Sequence, residues 1–130
     1  MAIGGRLIDD NKRIAKYVNS PETNFFKKGN NLYNLNKARK VSNKYNEVYL
    51  VEGYMDVISL YGNKIYNCVA NLGTALTNKQ ILLLGQFFSE IIVCFDGDES
   101  GYKAALRAAE NSLKFLQPEK QISFLFLADG

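Results

Sequence analysis

The chain has 130 residues, the size of one compact domain, and 47% of them are hydrophobic, enough for a packed core. It contains no histidine, which excludes Ser-His-Asp and Cys-His catalysis and every histidine-dependent metal site. The net charge of +3 hides an asymmetry: residues 1 to 46 carry ten Lys/Arg against Asp9, Asp10 and Glu22, a balance of +7, whereas residues 47 to 130 carry six against ten acidic residues, a balance of −4. A basic segment joined to an acidic one predicts a polyanion partner for the first and cations for the second.

In chain order, residues 1 to 46 alternate short mixed segments with turns: Gly4-Gly5, "NSPET", and "FFKKGNN". One helix is expected from about Asn31 to Lys40, with Leu32, Leu35 and Ala38 inward. The rest of this stretch reads as a small basic α+β lobe. Its lysines beside aromatics and asparagines suit contact with phosphates and stacking on bases.

From Glu47 onward the pattern is regular. "VYLVEG" (Val48 to Gly53) predicts a strand, and "YMDVISLYG" a short helix burying Met55, Val57, Ile58 and Tyr61. "YNCVANLG" predicts a second strand. The helix after it opens with Thr77 and Gln80 in capping-box spacing. "IIVCF" predicts the third strand. The helix "YKAALRAAENSLKFL" places Leu106, Ala109, Leu113 and Leu116 on one face, and "ISFLFL" is the fourth strand. Alternating strands and helices predict an α/β class with a four-stranded parallel sheet covered on both faces. Glu52 and Asp96 end the first and third strands, and an order of 2-1-3-4 makes those strands neighbours.

Cys68 and Cys94 fall inside apolar strands without C-x-x-C spacing and are expected to be buried free thiols. No run is long enough to span a bilayer and no signal-peptide stretch is visible, so a cytoplasmic protein without membrane contact is expected.

The loop "DGDESG" begins like a calcium loop, with Asp96, Asp98 and Ser100 followed by Gly101, but position 12 is Arg107 and a strand precedes it, which argues against an EF-hand. Helix capping by Asp98 or Ser100 is the plain alternative. Two aspartates across a glycine also offer hard oxygens to magnesium, and Glu52, with Asp56 one helical turn on, adds carboxylates from a second strand end. Such a cluster stays ionised only when cations neutralise it, as in two-metal phosphoryl transfer. "NLGTALT" (Asn71 to Thr77) is read either as a strand-to-helix turn or as a phosphate cradle.

Together "LVEGYMDV", "LGTALT" and "FDGDESGYKAA" resemble the Toprim domain, and "KYVNSPET" with "FFKKGNNLYNLNKAR" resembles the bacterial replicative DNA primases in particular. The resemblance implies a basic N-terminal lobe over residues 1 to 46 and a Toprim domain over 47 to 130 that stops before the family's last acidic motif. It implies an enzyme that makes short RNA primers on single-stranded DNA from ribonucleoside triphosphates by two-metal nucleotidyl transfer. Glu52, Asp96 and Asp98 are then the catalytic metal-binding residues for two or more Mg2+ or Mn2+ ions, with Asp56 supporting them. Arg6, Lys16, Asn19, Lys28 and Lys103 are the nucleotide- and nucleic-acid-binding set. The family's zinc-binding domain and the domain that meets the replicative helicase have no counterpart in these residues, so no zinc is expected here, and whether these residues make primers alone is left open. The alternatives are a Toprim nuclease or topoisomerase module, and a magnesium-binding regulatory domain of receiver type.

Overall fold

The computed structural model describes residues 4–6, 17–19, 31–71, 76–115 and 117–128. In the basic segment, strands β1 (Gly4–Arg6) and β2 (Tyr17–Asn19) pair antiparallel, with Arg6 opposite Tyr17 and Gly4 opposite Asn19. Strands β3 (Glu47–Val51), β4 (Cys68–Ala70), β5 (Glu90–Asp96) and β6 (Gln121–Leu127) form a parallel sheet in the order β4-β3-β5-β6. This is the expected 2-1-3-4 arrangement. It sets β3 beside β5, from Glu47 opposite Glu90 to Leu50 opposite Val93.

Because side chains alternate across a strand, each uninterrupted apolar run feeds two cores. Val48, Leu50, Val69, Ile91, Val93 and Phe95 meet Ile81 and Leu84 of helix α3 (Asn78–Gly85) and Ala105 and Ala108 of helix α4 (Glu99–Ser112). On the other face Val51, Cys68, Ala70 and Cys94 pack with Val57 of helix α2 (Tyr54–Gly62). The two thiols are free and buried. No helix among the described residues is long and apolar enough to cross a membrane.

Two helices differ from the sequence expectation. In α4 the buried residues are Gly101, Ala105, Ala108 and Ser112, while Leu106 and Leu113 are 66% and 68% exposed. Leu116 lies outside the described residues. The reason is depth: α4 comes so near the end of β5 that a Cβ on Gly101 would collide with the carbonyl oxygen of Asp96. Only small side chains fit that seam. The bulk comes from the sheet instead, as Phe124 and Phe126 flank Phe95 with ring centroids 6.2 Å apart. In α2 only Val57 is buried, and Met55, Ile58 and Tyr61 are exposed. A helix of nine residues resting on β3 and β4 buries one narrow seam and leaves its flanks open.

The expected helix over Asn31 to Lys40 is shorter. Helix α1 (Leu35–Ala38) runs into a 3-10 turn at Arg39–Val41, with Leu32 and Ala38 buried and Leu35 packed against the same core. Residues 31 to 34 are not helical because the sheet claims their backbone. Tyr33 and Ala70 exchange N–H to O=C bonds of 2.9 and 3.1 Å, and Asn34, at φ 70°, donates its side-chain amide to the Cys68 carbonyl at 3.0 Å. Asparagine tolerates that left-handed conformation, which turns the chain from the sheet edge into α1.

Candidate metal and nucleotide site

Parallel strands deliver their carboxyl ends to one edge of the sheet, and there the acidic residues collect. Asp96 is the last residue of β5 and Glu52 follows the last residue of β3. When the pairing of β3 with β5 is extended by two residues, Glu52 stands level with Phe95, one residue short of Asp96. Both side chains are exposed.

Two further carboxylates stand at helix starts. Asp56 lies in the first turn of α2, where its Oδ2 accepts the Gly53 N–H at 3.2 Å. Asp98 is the N-cap of α4, and its Oδ1 accepts the Gly101 N–H at 2.7 Å. The capping alternative therefore holds for Asp98, but it engages one oxygen and leaves the second. In the loop between, a Cβ on Gly97 would stand 2.5 Å from the Leu127 carbonyl oxygen, so only glycine lets the loop cross the end of β6.

Electrostatics ties the four together. Partial burial, then the charges of Asp96, Asp56 and Asp98 in that order, push the Glu52 carboxyl above its ordinary range. Burial raises the Cys94 thiol to about 11, with Asp56 adding to it, so the Asp56 charge is felt at β5 as well as at Glu52. Among the described residues none of the four makes an ion pair, and the Lys103 to Glu99 contact at 2.6 Å lies along the outside of α4.

The four do not close into a ready-made cage: no three potential ligands among the described residues converge on one point. That arrangement fits magnesium, which keeps several waters and takes one or two carboxylates together with substrate phosphates. Hard-oxygen donors at the strand ends, without cationic partners among the described residues, are the donor type such an ion takes.

Of the predicted basic residues, Arg6 ends β1 and Asn19 ends β2, and Lys16 and Lys28 lie outside the described residues. Lys103 is exposed on α4, held by Glu99 one turn earlier. "NLGTALT" is described at its ends only. The predicted capping box is present there: Gln80 N–H donates to Thr77 Oγ1 at 3.2 Å and Thr77 N–H to Gln80 Oε1 at 3.1 Å. Sequence reasoning missed the rest of what Gln80 does. Its side chain is fully buried and donates to the Asn31 carbonyl and to Asn71 Oδ1. The one available signal was a polar residue on the apolar face of α3.

Comparison with known proteins agrees with this fold. Residues 46–126 match the Toprim domain and residues 1–39 match the DNA primase catalytic core, N-terminal domain. A DNA primase of Pseudomonas aeruginosa is 48% identical over the whole chain, which covers 19% of that protein, and one of Haemophilus influenzae is 42% identical, with 22% covered. The chain thus spans about a fifth of the length of the curated relatives it matches. Among solved structures, a DNA primase domain from P. aeruginosa superposes with a TM-score of 0.90 at 49% identity, covering 99% of this chain and 40% of that one. The E. coli primase catalytic core gives 0.90 at 42% identity, covering 100% and 41%. A DnaG primase catalytic domain bound to single-stranded DNA gives 0.89 at 41% identity, covering 99% and 41%.

Proposed function

The chain belongs to the DNA primase family, and on that ground we propose that it forms the acidic half and part of the basic half of a primer-synthesising active site. Ribonucleoside triphosphates are joined there into short RNA primers on a single-stranded DNA template. The observation that carries this reading is that Glu52 and Asp96 stand at the carboxyl ends of adjacent parallel strands, close enough that Asp96, with Asp56 and Asp98, acts on the Glu52 charge. The relative bound to single-stranded DNA supports the template assignment.

In this reading residues 1 to 46 serve as the basic lobe and 47 to 130 as the Toprim domain. Glu52, Asp96 and the free oxygen of Asp98 hold two or more Mg2+ or Mn2+ ions. Toprim domains generally bind magnesium. When bound, such ions neutralise charge at the transferring phosphoryl group and orient the attacking hydroxyl. Asp56 fixes the start of α2 through Gly53 and adds negative potential beside Glu52. Asp98 is assigned two tasks, fixing the start of α4 with one oxygen and offering the other to an ion. Arg6, Lys16, Asn19 and Lys28 hold nucleotide and nucleic-acid phosphates, and Lys103 contributes when it leaves Glu99. In the cell the protein would work in the cytoplasm beside the replicative helicase, reached through a separate domain. The match of residues 1–39 to a primase-specific domain favours this over a Toprim nuclease or topoisomerase.

The direct test is Asp96→Asn in the full-length protein. Metal-dependent primer synthesis should fall at least a hundredfold with the far-UV spectrum unchanged. Synthesis at the wild-type rate would remove Asp96 from the site.

A further inference from the structure

We propose that the outer side of residues 35 to 45 is a second nucleic-acid contact: a row of lysines interleaved with tyrosines that holds single-stranded template DNA beyond the acidic edge of the sheet. The inference rests on the primase reading above and uses none of the residues assigned there.

The row begins in local structure. Helix α1, the 3-10 turn at Arg39–Val41 and the residues after it wind continuously, since Ser42 N–H donates to the Arg39 carbonyl at 3.3 Å and Tyr45 N–H to the Val41 carbonyl at 3.0 Å. Ala38 is fully buried and Leu35 packs on the same core, which fixes the inward side of this coil. Lys37, Lys40 and Lys44 recur at i, i+3 and i+7, so they share a side turned away from that core, one cation per turn. All three are exposed, as are Asn36, Arg39 and Asn43. From Asn31 to Asn46 the chain carries these four cations and no Asp or Glu, and among the described residues none of the four makes an ion pair.

Rings lie along the same row. Lys37 Nζ stands over the Tyr61 ring of α2, 5.4 Å from its centroid, and Lys44 Nζ over Tyr45 at 5.6 Å. Tyr61 is 37% exposed and meets Tyr66 edge-on with centroids 4.8 Å apart, while Tyr33, 38% exposed, meets Tyr54 at 5.9 Å. Each exposed ring is thus braced by a second. Cations that track a backbone beside rings that accept a base are what single-strand binders combine. An ordinary solvated face mixes signs, as the outside of α4 does with Glu99, Lys103, Arg107 and Glu110, where Lys103 pairs with Glu99.

The placement links the row to the acidic edge. Tyr33 exchanges backbone bonds with Ala70, the last residue of β4, so it stands at the carboxyl end of the sheet. Its ring partner Tyr54 opens α2 two residues after Glu52. From there residues 35 to 45 pass beside β4 and lead to Glu47, where β3 starts at the opposite edge of the sheet. A strand leaving the carboxylates past Tyr33 and Tyr54 therefore meets unpaired cations one turn after another, with phosphates on the lysines and unstacked bases on Tyr33 and Tyr61.

The experiment uses the full-length protein carrying Lys37→Gln, Lys40→Gln and Lys44→Gln together, and separately Tyr61→Leu and Tyr61→Phe. Fluorescence anisotropy follows binding of oligo-dT of increasing length at several salt concentrations, beside kcat and template KM in primer synthesis. In the triple variant, affinity for long oligo-dT should fall at least tenfold, and its log-log salt slope should become shallower by about 2, roughly 0.7 for each of three phosphates. Oligonucleotides too short to extend past the acidic edge should bind as to wild type. Template KM should rise while kcat at saturating template stays within twofold, and the melting temperature should hold because all three side chains stand in solvent. Tyr61→Leu should lose about fivefold in affinity with the salt slope unchanged, and Tyr61→Phe should restore it, since a base stacks on either ring. Wild-type affinity and slope in the triple variant overturn the proposal, as does an equal loss on duplex DNA of the same length. Asp96→Asn in the same assays keeps the two readings apart: a failed metal site leaves the DNA titration to decide the lysine row, and a failed row leaves the metal site standing.

Discussion

Gly101 and Asp96 are in backbone contact: the third residue of α4 lies against the carbonyl of the last residue of β5, with no room for a side chain between them. The strand end that presents the acidic site is therefore clamped by the helix that follows it. Replacing Gly101 by alanine should destabilise the fold by about 1–3 kcal/mol, the usual cost of overpacking, and displace Asp96. Thermal unfolding and Mn2+ titration of the same variant would check this. An unchanged melting temperature would mean that α4 is free to lift.

The inverted face of α4 makes a paired expectation. Leu106→Glu should cost no more than about 0.5 kcal/mol because the side chain already stands in solvent. Ala108→Leu should cost about 1–3 kcal/mol because it intrudes on the seam against Phe95. Denaturant unfolding of both variants measures the contrast. The reverse order would restore the leucine face as the buried one.

Asp98 separates capping from metal binding. Asparagine is as good an N-cap as aspartate, so Asp98→Asn should keep stability within roughly 0.5 kcal/mol of wild type while weakening Mn2+ binding at least tenfold. Asp98→Ala should lower stability by about 1 kcal/mol as well. Calorimetric metal titrations beside melting curves distinguish the two effects, and undiminished Mn2+ affinity in the asparagine variant would leave Asp98 with capping alone.

Glu52 gives the acidic edge a pH signature. Its carboxyl titrates above 4.5 in the folded protein, so across the window just above 4.5 the folded state binds more protons than the unfolded state. Stability in EDTA should then fall as pH rises through that window, and Glu52→Gln should flatten the dependence. Saturating Mg2+ should reduce or reverse the slope, because the ion favours the charged carboxylate. Melting temperatures between about pH 4.5 and 6.5, with and without the ion, supply the measurement, and identical slopes in all conditions would argue against the cluster.

The basic segment is tested by salt. Lys28→Glu should weaken single-stranded DNA or nucleotide binding and make its dependence on salt shallower by roughly 0.7 in log-log slope for each strand phosphate that is no longer neutralised. Fluorescence anisotropy at several ionic strengths reads this directly. Equal affinity and equal slope would dissociate Lys28 from phosphate.

Much of this protein is legible in its sequence. Four apolar runs, the intervening helices and two carboxylates at strand ends follow from residue type and spacing, because strand burial and parallel crossover connections leave few other arrangements. The Thr77 and Gln80 capping box and the buried thiols belong to the same class, being local or driven by burial alone. Spacing by itself leaves open which side of α4 turns inward. Leu106 and Leu113 make the more apolar stripe, yet the close approach of Gly101 to Asp96 selects the alanine stripe, a steric fact that exists only once helix and strand are packed. The extended path of residues 31 to 34 is hidden likewise, since the free edge of β4 offers backbone partners that a helix propensity cannot anticipate. Hydrophobic period and charge placement are properties of the chain and decide which elements form and which end of the sheet becomes acidic. Depth of packing, and the partners of a buried amide such as Gln80, depend on segments dozens of residues apart, so only the folded arrangement could decide them.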